Sequence, residues 1–295
     1  MACNLCPRRC GAQREDKNLG FCGQPLTAHV AKIYLHPYEE PVLCGKNGSG
    51  AIFFCGCSLR CVFCQNRDIS HGGVVGREYS AEELAAEMLE LERSGAANIN
   101  LITAAHFADT VARALKIAKK SLRIPVVYNS SGYESVDTLK MLSGLVDVYM
   151  PDFKYASAEL AGEYSSAPDY PSVAEAAITE MYRQVGRYEL DREGNLVRGV
   201  LVRHLVLPAC RADSIAVLRR LAKILPVGDI LLSLMRQYTP DFALDCAPKN
   251  LHRRLTEFEY SSVLEVAVSL GFDGFTQSKE SAQKSFTPSF KENKS

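Results

Sequence analysis

The chain has no surplus of charge of either sign. Its 34 Lys and Arg residues balance 34 Asp and Glu, so it lacks the electrostatic footprint of a general nucleic-acid binder. No apolar run approaches the roughly 20 residues of a membrane-spanning helix. The first residues, Met1-Ala2-Cys3-Asn4-Leu5-Cys6, carry no apolar signal-peptide core. That makes the cytoplasm the expected compartment. Cysteine, by contrast, is plentiful, at 11 residues. Without a secretion signal, so many thiols point to metal or redox chemistry rather than to disulfides. At 47% hydrophobic and 23% charged residues, the composition is that of an ordinary globular chain. The 295 residues suffice to bury a sizeable core, as one large or two small domains.

The most informative run is Cys57-Ser58-Leu59-Arg60-Cys61-Val62-Phe63-Cys64, directly after the apolar stretch Ala51-Ile52-Phe53-Phe54. Three thiolates at this spacing can hold three irons of a cubane cluster, which normally takes four cysteines. One iron is then left open, and an open position separates a catalytic metal site from a structural one. The spacing alone also fits a zinc site completed from elsewhere.

From residue 51 onward, strand-like and helix-like segments alternate. The candidate strands are 51–55, 98–103, 125–129, 146–150, 199–207 and 229–235. The helices between and after them are 81–93, 108–120, 136–142, 173–185, 214–224 and 258–270. Ser80 with Glu83, Ser172 with Glu175, and Thr256 with Glu259 have capping-box spacing. Gly95, Gly144, Gly186 and Gly271 fall where helices would end. Repeated βα units imply an α/β fold with a parallel sheet and outer helices, and chemistry at the C-terminal strand ends.

Those strand ends carry chemistry. Asp152 and Lys154 sit at alternate positions of Met150-Pro151-Asp152-Phe153-Lys154 and so face one side of the sheet. Inside a barrel mouth they must pair or bind a ligand. Alternation turns either Arg203 or His204 inward, and the guanidinium fork of Arg203 suits a carboxylate. The loop Met235-Arg236-Gln237-Tyr238 adds polar groups after the last strand.

The cysteine run resembles the signature of the radical S-adenosylmethionine (SAM) enzymes. Further segments resemble the branch of the pyruvate formate-lyase activating enzyme, in particular homologues with extra N-terminal cysteines. They are Phe53-Phe54-Cys55-Gly56-Cys57, Cys64-Gln65-Asn66, Asn98-Ile99-Asn100-Leu101, Val127-Tyr128-Asn129-Ser130-Ser131-Gly132-Tyr133, Tyr149-Met150-Pro151-Asp152-Phe153-Lys154-Tyr155 and Arg203-His204-Leu205-Val206-Leu207-Pro208. This resemblance implies a partial (βα)6 TIM-type barrel with a Cys-rich N-terminal extension. It places a 4Fe–4S cluster on Cys57, Cys61 and Cys64, and SAM on the open iron. Phe63 would lie near the adenine, with Thr103, His106, Asn129, Ser130, Met150, Asp152, Lys154 and Arg203 as the SAM shell. Activases usually have a Gly-Gly-Glu-like turn where this chain reads Thr103-Ala104-Ala105-His106, and an Asp where it has Asn129. No separate catalytic acid or base is legible. A flavodoxin- or ferredoxin-type reductant is implied, together with a glycyl-radical protein, a peptide, an RNA or a small molecule as substrate. The reading from a different class is an electron-transfer or metal-binding protein that does not turn over SAM.

Cys3, Cys6, Cys10 and Cys22 supply four more ligands, enough for zinc or for a second Fe–S cluster. The expected organisation is a Cys-rich extension over 1–48, whose segment 25–48 links it to the barrel, then a barrel over 49–275 and a polar, disordered tail over 276–295.

Overall fold

A computed structural model of the chain describes residues 3–15, 19–277 and 290. In chain order its elements are β1 (Ala28–His36), α1 (Pro41–Cys44), β2 (Ser49–Phe54), α2 (Arg67–Ser70), β3 (Arg77–Tyr79), α3 (Ala81–Arg93), β4 (Ile99–Ile102), α4 (Ala108–Ala118), β5 (Val126–Ser130), α5 (Val136–Met141) and β6 (Val148–Pro151). There follow α6 (Ala158–Ser165), α7 (Tyr170–Val185), β7 (Glu189–Leu190), β8 (Leu196–Leu205), α8 (Arg211–Ile224), β9 (Leu231–Met235), α9 (Glu257–Ser269) and β10 (Asp273–Thr276).

The sheet order is β10-β9-β8-β6-β5-β4-β2-β1-β3. From β2 to β10 along that order every pair is parallel, while β1 is antiparallel to both β2 and β3. Strands β2, β4, β5, β6 and β9 are buried throughout, which is why they read as continuous apolar runs rather than alternations. Alternation still sorts their two faces. Ile52, Phe54, Leu101, Tyr128, Tyr149, Val202 and Leu232 join the main core beneath the helices. On the inner face, Val127, Val148, Met150, Leu201 and Leu231 form a smaller apolar layer.

Two expected capping boxes are present, Ser80 with Glu83 on α3 and Thr256 with Glu259 on α9. The third is absent. Helix α7 begins earlier than expected, at Tyr170 with Pro171 in its first turn, a position that proline favours. Ser172 therefore lies inside the helix and donates to the Asp169 carbonyl at 3.0 Å. Among the described residues, no helix is long and apolar enough to cross a membrane.

Segment 25–48 is more than a connection. Residues 28–36 form β1, paired along β2. The turn that follows then carries α1 across the N-terminal ends of the parallel strands. Val42 and Leu43 pack there on Val127, Val148, Met150, Leu201 and Leu231, and the Leu43 carbonyl accepts from Asn98 Nδ2 at 2.6 Å. This segment closes the barrel floor. Apart from Thr276, Gln277 and Phe290, the expected tail lies outside the described residues.

Candidate active site

Chain direction reverses after β2 through Gly56, at φ +80°, and the loop returns as Cys57, Cys61 and Cys64. All three line one cavity with Asn129, Asp152, Lys154 and Arg203. Each sulfur meets at least one donor. Leu59 N–H reaches Cys57 Sγ at 3.3 Å, Ser165 Oγ reaches Cys61 Sγ at 3.0 Å, and Ser70 Oγ reaches Cys64 Sγ at 3.3 Å. Donors aimed at sulfur stabilise a thiolate more than a thiol. Burial works the other way, raising the Cys61 thiol and pushing Cys64 up to about 12. A cation bound at the sulfurs offsets that cost. The donor set therefore fits a cluster held by three thiolates. Phe63 packs edge-on against Tyr164 and Tyr238, at ring separations of 6.3 and 6.2 Å.

Opposite the loop, the inner face of the sheet supplies a charged group. Asp152 Oδ1 lies 3.0 Å from Arg203 Nε, and its Oδ2 lies 2.5 Å from Lys154 Nζ. Arg203 also donates to Asn129 Oδ1 at 2.8 Å and faces Glu39 Oε1 at 3.7 Å. The three charged side chains are only 13, 20 and 17% exposed for Asp152, Lys154 and Arg203. Burial raises the Asp152 carboxyl, but Arg203 and Lys154 outweigh it and hold the group below its ordinary value. Burial likewise lowers the Lys154 ammonium, and Asp152 and Cys61 reverse the shift. Both groups stay charged at neutral pH.

The structure brings Phe63, Thr103, Asn129, Asp152, Lys154 and Arg203 to the cavity with the three cysteines. It does not bring His106, Ser130 or Met150 there. His106 is buried with Nε2 2.7 Å from the Cys55 carbonyl, and burial lowers it to about 4. Ser130 follows Asn129 on β5 and so faces the helices, donating to Glu134 Oε1 at 2.6 Å. Met150 shares the inward face with Asp152 but sits one layer deeper, in the apolar floor. His204 turns from the cavity, as expected, with Nδ1 2.6 Å from the Phe153 carbonyl.

Sequence reasoning missed Glu39. It enters from the floor segment, accepts from Asn100 Nδ2 at 2.7 Å and faces Arg203. Its neighbour Glu40 accepts from Ser233 at 2.9 Å. Burial raises Glu40 to about 7, against the opposing charge of Arg203. Two adjacent carboxylates before a proline-led turn were the available signal.

A parallel sheet curved around three loop cysteines and an Asp–Arg–Lys group is a radical SAM partial barrel. Residues 51–178 match the sequence model of the radical SAM superfamily, and the chain belongs to that superfamily. Membership implies a 4Fe–4S cluster and SAM as cofactors. The chain is 30% identical over 286 residues to the uncharacterized protein MJ0674 of Methanocaldococcus jannaschii, covering 92% of this chain and 75% of that one. Its fold is similar to a radical SAM methyltransferase from Sphaerobacter thermophilus, with TM-score 0.53 and 14% identity over 78% of this chain and 66% of that one. It is also similar to Streptococcus suis SuiB bound to the precursor peptide SuiA, with TM-score 0.52 and 11% identity over 75% of this chain and 46% of that one. The chain thus spans just under two thirds, and under half, of those two structures.

Proposed function

We propose that the chain is an enzyme that holds a 4Fe–4S cluster on Cys57, Cys61 and Cys64, binds SAM beside it, and abstracts hydrogen from a substrate. When bound, the two cofactors supply a one-electron reductive cleavage of SAM to methionine and a 5′-deoxyadenosyl radical. A flavodoxin- or ferredoxin-type partner would supply the electron. The observation that carries this reading is the Asn129–Asp152–Lys154–Arg203 group in the same cavity as the three sulfurs. An electron carrier has no use for charged side chains held 13–20% exposed inside a barrel mouth. A zwitterionic, ribose-bearing ligand does.

In this reading Arg203 and Lys154 receive the methionine carboxylate, with the guanidinium supplying a paired-donor fork. Asp152 orients both cations and offers acceptors to hydroxyl or ammonium groups, and Asn129 adds an amide. Thr103 stands in for the activase turn that receives the SAM amino group. Phe63 packs near the adenine. The apolar floor beneath Arg203 keeps water from a reactive radical.

The activase-like resemblance favours a protein or peptide substrate that loses the Cα hydrogen of a glycine. SuiB, of similar fold, binds a precursor peptide, which supports a peptide-sized partner. The setting is a low-oxygen cytoplasm. Equilibrium binding of SAM to the anaerobically reconstituted protein tests the assignment. Asp152→Ala should weaken SAM at least tenfold with iron content unchanged, whereas unchanged affinity would remove Asp152 from the SAM site.

A further inference from the structure

Outside this cavity, the first 22 residues gather Cys3, Cys6, Cys10 and Cys22. Cys3 N–H donates to the Ala12 carbonyl at 3.0 Å and the Cys3 carbonyl accepts from Gly11 N–H at 3.3 Å, folding the segment back on itself. Gly20, at φ +62°, approaches so closely that a Cβ there would lie 2.7 Å from Cys10 Sγ. Cys3, Cys10 and Cys22 lie within electrostatic reach of one another or of Cys6. None of the 11 cysteines is in a disulfide.

Arg14 and Arg8 flank this group. Arg14 is 4% exposed. It donates to the carbonyls of Gln24, at 3.0 Å, of His106, at 2.6 Å, and of Pro25, and its Nη1 lies 3.7 Å from Cys3 Sγ. Arg8 donates to the Ser58 and Ser165 carbonyls at 2.7 and 2.9 Å and to that of Ser166, and stacks 3.9 Å over Phe21. Among the described residues, neither pairs with a carboxylate. A buried guanidinium without an anion is costly, and neutral thiols supply none. Four thiolates around a doubly charged metal centre carry a net double negative charge, which Arg14 and Arg8 would offset.

We propose that Cys3, Cys6, Cys10 and Cys22 hold a second 4Fe–4S cluster, with Arg14 and Arg8 balancing its charge. A cubane seats each of the four sulfurs on a separate iron, whereas zinc would take the same four on one ion and carry no sulfide. The closed ligand set leaves no iron for SAM. The cluster would abut the loop of the first site. A Cβ on Gly56 would meet the Cys22 carbonyl at 2.6 Å, and Arg8 is hydrogen-bonded to Ser58 within that loop. This inference stands independently of SAM turnover.

Iron and acid-labile sulfide, counted after anaerobic reconstitution, test it. The native protein should hold about eight irons, and the Cys57→Ala/Cys61→Ala/Cys64→Ala protein about four with about four sulfides. About four irons in the native protein with none in the triple variant would overturn the proposal. So would a triple variant that holds zinc without sulfide. In that triple variant, adding Arg14→Met should lower the midpoint potential, because a neighbouring positive charge favours the reduced cluster. An unchanged potential would remove Arg14 as the balancing charge.

Discussion

Asp152 is clamped between two cations, Arg203 at 3.0 Å through Oδ1 and Lys154 at 2.5 Å through Oδ2. The clamp follows from strand parity, because residues 152 and 154 share a face and Arg203 lies beside Asp152 on the neighbouring strand. Removing the carboxylate leaves two largely buried cations facing each other. Asp152→Ala should therefore lose on the order of 3 kcal/mol of stability, read from urea unfolding. A loss below about 0.5 kcal/mol would mean that solvent already screens the pair, as at a surface.

The same carboxyl sets an acid limit. Its folded value lies below the ordinary one, despite the burial that opposes Arg203 and Lys154. Its contribution is thus fully present above about pH 4 and is lost as pH falls through the depressed value. The unfolding midpoint of Asp152→Asn should fall less steeply than the native one below pH 4. Parallel pH profiles would contradict this.

Glu134 titrates in the opposite sense. It is buried beside Tyr128 and Ser130, and burial raises it to about 7 against their hydrogen bonds. A raised folded value gives stability that is present below about pH 4.5 and lost as pH rises through 7. Glu134→Gln should therefore gain on the native protein by roughly 2 kcal/mol between pH 5 and pH 8. A difference that does not change with pH would show that Glu134 ionises normally.

Gly132 follows β5 and packs against the end of β6. At φ +77° a Cβ would stand 2.1 Å from the Asp152 carbonyl. Gly132→Ala must push this backbone aside, so stability should drop by roughly 2 kcal/mol or more and SAM binding should weaken as Asp152 shifts. Unaltered SAM affinity would show that the strand end absorbs the methyl without moving the carboxylate.

Much of this was legible in the sequence. Buried parallel strands read as apolar runs, and helix α3 runs from Ala81 to Arg93 as its capping box and terminal glycine predict. Asp152, Lys154 and Arg203 were readable because isolated charges within apolar strands need a reason. Parity could also have excluded Ser130, since Asn129 and Ser130 are adjacent on one strand and point to opposite faces. Met150 failed for a different reason. It has the right face but the wrong depth, and depth depends on how the sheet curves. The floor segment was hidden because Pro41–Cys44 is too short for helical periodicity, and its partners Val127, Val148 and Leu201 are distant in sequence. Strand β1 alternates Ala28-His29-Val30 and then loses the pattern, so it resembled a loop.

The most direct measurement is 5′-deoxyadenosine formation from SAM by the reconstituted, chemically reduced protein under anaerobic conditions, beside a Cys57→Ala control. The account predicts product from the native protein and none from the variant. No product from a fully loaded, reduced protein supplied with SAM, or equal product from the variant, would contradict it.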